Sequence, residues 1–443
     1  MIATLDLRGA AHTGGQLSHL LPRAGVDVSA ATRAAAELID DVRARGSAAL
    51  LDQAERLDGV RPEALRVTAA ELEKALDATA PAVRDALEEA IRRVRAVSSA
   101  QLPVPTSTAL GDGAMVQQRW RPVRRVGLYV PGGKAVYPSS VVMNVVPAQV
   151  AGVASLALAS PAQAAFGGSV HPTILAAAAL LGVDEVYAMG GAGAIGAFAH
   201  GVADLGLEPV DLVTGPGNVW VAAAKRLVRG IVGIDAEAGP TEILVIADEE
   251  ADPVLVAADL VSQAEHDELA AAVLVTDSAD FAARTRAEIG LLSESARHGA
   301  RVRAALSGAQ SAIVLVDDLA AAAVVSNAYG PEHLELQVRD PDALLALIDN
   351  AGAIFVGEDS PVSLGDYLAG SNHVLPTGGQ ARFSSGLGVG TFLRAQQVIR
   401  YDREGLRGVA SHLAALAEAE DLPAHAAAVV ARFTAEIGVA GVG

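Results

Sequence analysis

From residue 123 onward the chain alternates short β-branched runs with Ala-rich helical stretches, and few architectures accept that pattern. One series places strands near 126–130, 154–159, 185–189, 212–214 and 231–234, with helices near 140–152, 172–181, 194–205 and 218–228 between them. A second series follows, with strands near 243–247, 272–276, 312–316, 334–338 and 353–356. These runs are apolar almost throughout rather than at every other residue. A strand of that kind is buried on both faces, as in a parallel sheet covered by helices above and below. The fold class expected is therefore α/β: two doubly wound, Rossmann-like but incomplete parallel-sheet domains. Two similar series raise the idea of duplication, although no residue-level repeat establishes it.

The rest of the chain frames these domains. Residues 1–28 show mixed polarity and no sustained period, so they read as an arm. Ser29 can cap a helix that runs to Arg45 and stops at Gly46. Thr68 and Glu71 have capping-box spacing, and a helical pattern continues from Pro81 to Ala100. Residues 101–108, with two prolines, read as a connector. A strand is expected over 392–401, then two amphipathic helices over 405–420 and 424–437. The expected division is an arm at 1–28, a larger α/β domain from 29–125 plus 241–387, a second α/β domain at 126–240, and a tail at 388–443. That tail could pack on another subunit.

Composition removes whole classes of function. The net charge of −19 argues against a nucleic-acid surface and gives no polybasic membrane anchor. The longest apolar runs are too short to span a bilayer. There are no cysteines, which rules out disulfides, thiolate zinc sites and a thiol nucleophile, and suits a reducing, cytoplasmic setting. No basic stretch followed by an apolar core marks a secretory signal in the first residues.

Three glycine turns end strands of the first series. Gly191, Gly193 and Gly196 match the GxGxxG dinucleotide pattern at a strand-to-helix junction, but the motif is short and tight-turn packing explains it as well. The turns at 130–133 and 215–218 stand at strand C-terminal ends, where open α/β sheets bind ligands. Tyr129 there can stack on a ring or fill the core. Asn218 can contact a ligand or simply cap its helix.

Candidate metal and acid–base residues fall in the second series and the tail. Gln263 and His266 end an apolar run that reads as a helix, so an amide oxygen and an imidazole would share a face. Glu332 and His333 follow a Gly-Pro break and lead into a strand, a natural place for an acid–base pair. Asp366 and His373 follow the next strand, and Asp366 is either a metal carboxylate or a cap. Glu420 and His425 flank the last helix–helix turn. Each of these has a plain structural reading when taken alone.

Together they are more specific. The stretches SQAEH (262–266), GPEHLE (330–335), SLGDYLAGSNHVLPTGG (363–379) and AEAEDLPAH (417–425) resemble histidinol dehydrogenases, as do VGLYVPGG (126–133), GPGN (215–218) and IDAEAGPTEILVIAD (234–248). The resemblance covers about 30–440. It implies oxidation of L-histidinol to L-histidine with two NAD⁺, through a bound aldehyde, in a homodimer with one Zn²⁺ per site. By position, the zinc ligands fall on Gln263, His266, Asp366 and His425, the last donated by the partner subunit. The acid–base pair falls on Glu332 and His333. Substrate contacts fall on Thr241, His333, Glu420 and the zinc ligands, and cofactor contacts on Tyr129, position 193 and Asn218. Position 193 is Gly where the family usually has Gln, which also completes GxGxxG by accident, and position 241 is Thr where many members have Ser. With no cysteine available, the aldehyde would be oxidised as its hydrate, with Glu332 activating water. Rival readings from the residues alone are a single-step alcohol dehydrogenase, a metal-dependent hydrolase and a non-enzymatic nucleotide-binding regulator.

Overall fold

The computed structural model describes residues 2–9, 14–23, 28–132, 136–237 and 239–434. Its fourteen strands are β1 (Ala3–Asp6), β2 (Thr106–Gly111), β3 (Ala114–Pro122), β4 (Arg125–Tyr129), β5 (Ser155–Ser160), β6 (Val186–Ala188), β7 (Leu212–Thr214), β8 (Gly233–Ile234), β9 (Glu242–Ala247), β10 (Ala271–Thr276), β11 (Ala312–Leu315), β12 (His333–Gln337), β13 (Ala353–Val356) and β14 (Leu393–Tyr401). The chain divides into two compact units, residues 1–102 with 123–392, and residues 103–122 with 393–443.

The first unit holds two parallel sheets. One has the order β6-β5-β4-β7-β8, the other β1-β11-β10-β9-β12-β13. Setting β1 aside, both follow the same doubly wound order, with the third, second and first strands of the series beside the fourth and fifth. The expectation of two similar doubly wound parallel sheets holds, with both in one compact unit. The apolar runs explain it: every residue of β4, β9, β10 and β12 is buried. Burial of a Val, Leu or Ile side chain contributes about 1.5–3 kcal/mol, so these central strands anchor both cores.

Several local expectations hold. Thr68 and Glu71 form a full capping box, with both reciprocal hydrogen bonds present. The helix Val28–Arg45 stops at Gly46 as expected, where φ is 59°, but it starts before Ser29, which therefore lies inside it rather than at its cap. Small residues then let helices approach closely. A Cβ on Gly196 would lie 3.2 Å from the Ile39 backbone, so the helix Gly191–His200 presses directly on Val28–Arg45. The GxGxxG stretch thus lies inside a helix, and at Gly196 it serves packing.

Two expectations change. The segment 1–28 is more than an arm: β1 pairs in parallel with β11, and Leu17 and Leu21 join the core beneath that sheet. A four-residue edge strand is too short to show a period in sequence. The connector at 101–108 enters β2, which forms an antiparallel sheet with β3 and β14 in the second unit. Only alternate residues of an edge hairpin face a core, and β2 is exposed along its whole length, so it lacks an apolar signature. That unit closes with helices Arg403–Ala419 and Pro423–Thr434; the expected extension to residue 437 lies outside the described residues. No described helix is long and apolar enough to cross a membrane.

Candidate active site

A cavity of about 1790 Å³ in the first unit gathers residues from both parallel sheets. The five-stranded sheet presents the carboxyl ends of β4 and β7, through Tyr129 and the 216–218 turn, as the doubly wound rule expects. The six-stranded sheet does the reverse. Thr241 and Glu242 open β9, and His333 opens β12, so its amino ends line the cavity. Returning helices run antiparallel to their strands, and their C-terminal ends arrive at the same edge. That brings Gln263 in the last turn of Pro253–Ala264, and Asp366 near the end of Val362–Tyr367. His266 lies just past its helix end rather than on its face, held by a turn from its N–H to the Gln263 carbonyl at 3.3 Å.

The polar groups form a chain. Gln263 is 1% exposed; its Nε2 donates to Thr241 Oγ1 at 2.5 Å, and Thr241 donates to Glu332 Oε2 at 2.6 Å. The backbone N–H of Glu242 donates to the same carboxylate oxygen at 2.9 Å, which leaves Glu332 Oε1 to accept from elsewhere. Burial pushes the Glu332 carboxyl above its usual range, opposed by the nearby His333 and these two donors. His333 is also buried, and its Nδ1 meets the Glu242 carbonyl at 3.0 Å. A carbonyl only accepts, so Nδ1 carries the hydrogen and Nε2 keeps the lone pair of a base.

The candidate metal donors sit beside this chain. Gln263 Oε1 is buried with no hydrogen-bond partner among the described residues. A buried amide oxygen left so costs free energy unless a cation or donor meets it. His266 Nε2 and Asp366 Oδ2 are 3.7 Å apart. Burial works against the charge on Asp366, yet the nearby His266 and the other neighbouring imidazoles hold its carboxyl below the usual range. The Asp366 carboxylate in turn raises His266. Amide oxygen, imidazole and carboxylate are a donor set that suits Zn²⁺. The cap alternative for Asp366 fails, because it lies at the far end of its helix.

Tyr129 is both core and cavity wall, and its OH accepts from the Gly191 N–H at 3.1 Å. Asn218 caps its helix by accepting from the N–H groups of Trp220 and Val221, and it also lines the cavity. Gly193 is buried, and a Cβ there would fall 2.1 Å from Gln53 Oε1. The carboxamide of Gln53 thus occupies the space beside position 193, and Gln53 itself lines the cavity. Glu420 and His425 belong to the second unit, where both are exposed and line a small hollow of their own with Leu413, Leu416 and Leu422.

Sequence reasoning missed some residues. Glu242 is buried beside Arg23, whose Nη1 is 3.7 Å from its carboxylate, and burial pushes its carboxyl up to about 7. An acidic residue opening a wholly apolar strand was the available signal. His373, which the sequence places beside Asp366 without a role, is half-buried between the Asp366 carbonyl, 2.8 Å from Nδ1, and Ser140 Oγ, 3.0 Å from Nε2. It steadies the turn after Asp366. Asp58 also lines the cavity, with its carboxyl raised to about 6 by burial; nothing in its local sequence marks it.

A buried acid–base pair, in a cavity shared by two parallel sheets, makes this chain an enzyme of the α/β class. The family model described as histidinol dehydrogenase matches residues 21–433. The chain is 68% identical to the histidinol dehydrogenase of Leifsonia xyli subsp. xyli, over 97% of this chain and 99% of that protein. It is 59% identical to the histidinol dehydrogenase of Thermobifida fusca, over 98% of each. A crystal structure of histidinol dehydrogenase from Elizabethkingia anophelis superposes with a TM-score of 0.92 at 30% identity, covering 98% of both chains. The chain belongs to the histidinol dehydrogenase family, and it is an oxidoreductase.

Proposed function

We propose that this enzyme oxidises L-histidinol to L-histidine in two NAD⁺-dependent steps at one site. The observation that carries the reading is the buried run from Gln263 through Thr241 to Glu332, beside a His333 whose tautomer is fixed by the Glu242 carbonyl. His333 Nε2 takes the hydroxyl proton in the first oxidation. The aldehyde is then oxidised as its hydrate, since the chain has no cysteine to form a thiohemiacetal. Glu332 Oε1 accepts a proton from the incoming water, and burial brings the basicity of this carboxylate closer to neutral pH, where a general base works best. His333 serves again as base.

Gln263, His266 and Asp366 would hold Zn²⁺, with His425 of the partner subunit as fourth ligand, and the ion would orient the substrate amine and imidazole. Tyr129, Asn218 and the surface around position 193 would hold NAD⁺, which would supply the hydride acceptor for each oxidation. Glu420 and Thr241 contact the substrate. Support for a shared site comes from the second unit, where His425 and Glu420 are exposed beside Leu416 and Leu422, 65% and 41% exposed. A homodimer would cover such a surface. The deciding experiment is NADH formed per histidinol consumed, with and without a chelator. A ratio near two, with histidine as product and loss on chelation, is expected. A ratio of one means a simple alcohol dehydrogenase, and turnover without NAD⁺ means a hydrolase.

A further inference from the structure

A buried ion pair that the chemistry above does not use holds the turn after β7. Lys225 lies on the helix Val219–Val228, and Asp235 directly follows β8. Their side chains are 2% and 4% exposed, and Lys225 Nζ is 2.5 Å from Asp235 Oδ1. The pair closes on both backbone groups of one residue. Lys225 Nζ donates to the Gly215 carbonyl at 2.5 Å, and Asp235 Oδ2 accepts from the Gly215 N–H at 2.8 Å. The third acceptor for the ammonium is the Ala236 carbonyl at 3.5 Å, so each of its hydrogens has a partner. Asp235 is itself fixed, its N–H donating to the Val213 carbonyl of β7 at 3.3 Å.

Gly215 begins the turn that leaves β7. Its φ of 116° is one that favours glycine, and a Cβ there would fall 1.9 Å from the Tyr129 carbonyl oxygen. The backbone at 215 is therefore pressed against Tyr129, which walls the cavity, and the next three residues, Pro216, Gly217 and Asn218, line the same cavity. A buried ion pair is a poor source of stability. Desolvation of the two charges offsets most of their attraction, and apolar side chains of similar volume are often as stable in the same place. Apolar side chains cannot, however, grip an N–H and a carbonyl at fixed positions, because hydrogen bonds are directional and bonds to charged groups are the strong ones. The pair thus sets geometry rather than adding stability.

We propose that Lys225 and Asp235 are positioning residues for the dinucleotide: they lock Gly215, and through it the turn 216–218 against Tyr129, in the conformation that receives NAD⁺. The proposal rests on the reading of Tyr129 and Asn218 as cofactor contacts. The side-chain hydrogen bonds of the pair run to Gly215 and Ala236, away from Glu332, His333 and the candidate metal donors. Its loss should therefore weaken the cofactor and spare the substrate.

The test uses the full-length enzyme and three variants. Lys225→Met with Asp235→Leu replaces the pair by apolar side chains of similar size. Lys225→Met alone leaves a buried carboxylate unpaired. Asn218→Ser shortens a proposed contact but keeps a residue that caps helices well. NAD⁺ affinity is measured by calorimetry without histidinol, stability by urea unfolding, and KM for NAD⁺ and for histidinol by NADH formation. The double variant should keep a urea midpoint close to the parent's, bind NAD⁺ roughly tenfold or more weakly, and hold its histidinol KM within about threefold. Lys225→Met should lose both stability and NAD⁺ affinity. A folded double variant with parent-like NAD⁺ affinity overturns the proposal and leaves the pair a purely structural one, as does an equal rise in both KM values. If the double variant does not fold, Lys225→Met decides by the same two comparisons. Parent-like NAD⁺ affinity in Asn218→Ser removes the cofactor reading of the turn, and the proposal with it. Weakened binding there, beside an unaffected double variant, removes the positioning role alone.

Discussion

Thr241→Val isolates the hydroxyl at the centre of the active-site chain. Valine keeps the shape of threonine, so no cavity opens, and the change removes two bonds at once. One is the 2.6 Å donation to Glu332 Oε2, the other the 2.5 Å bond from Gln263 Nε2. A hydrogen bond to a charged group contributes about 1.5–3 kcal/mol, and a buried amide left unpaired costs about 1–3 kcal/mol. The two share one hydroxyl and are not additive, so the expected loss of stability is roughly 2–4 kcal/mol. In catalysis the Glu332 carboxylate loses one of its two donors to Oε2. Its charged form becomes less favourable, and the acid limb of aldehyde oxidation moves to higher pH. A loss of about 1.4 kcal/mol in the transition state is tenfold in rate, so aldehyde oxidation at neutral pH should slow by about 10- to 100-fold. The assay is single-turnover oxidation of histidinal across pH, beside urea unfolding. Thr241→Ser is the control, since it keeps both bonds. The reasoning fails if Val and Ser match in stability and in the pH profile of aldehyde oxidation.

Other perturbations separate the remaining roles. Glu332→Gln should leave alcohol oxidation within about tenfold and slow aldehyde oxidation by roughly 10²–10⁴, the usual range for a lost general base; equal losses in rapid-quench measurements of both half-reactions would remove Glu332 as the water activator. His425→Asn should lower bound zinc by atomic absorption, and mixed dimers with a Glu332→Gln chain should regain one working site if His425 acts across subunits. Gly193→Ala places a methyl 2.1 Å from Gln53 Oε1 and should cost about 1–3 kcal/mol by overpacking. Adding Gln53→Ala should recover part of it in a double-mutant cycle, and strict additivity would show that the two do not meet. Glu242, raised from 4.5 to about 7 by burial, keeps its proton on folding. Its contribution is full below pH 4.5 and lost as pH rises through 7, on the order of 3 kcal/mol in all; Glu242→Gln should flatten that part of a urea-unfolding pH profile.

The sequence alone determined the class of fold, because an unbroken apolar run such as 243–247 has only one comfortable place, the interior of a parallel sheet. It also marked candidates for the chemistry: Gln263, His266, Glu332, His333 and Asp366 stand in long motifs that resemble those of the family. Terminal and edge elements were not legible: β1 and β2 are short or exposed, and their pairing comes from distant chain rather than from a local period. Tertiary structure decided that the six-stranded sheet works at its amino ends, since that depends on where returning helices stop. It put the Gln53 carboxamide beside Gly193, 140 positions away in the chain. A local pattern records which face of an element is buried, but not which other element buries it. Tautomer choice and orphaned amide oxygens both depend on that second fact.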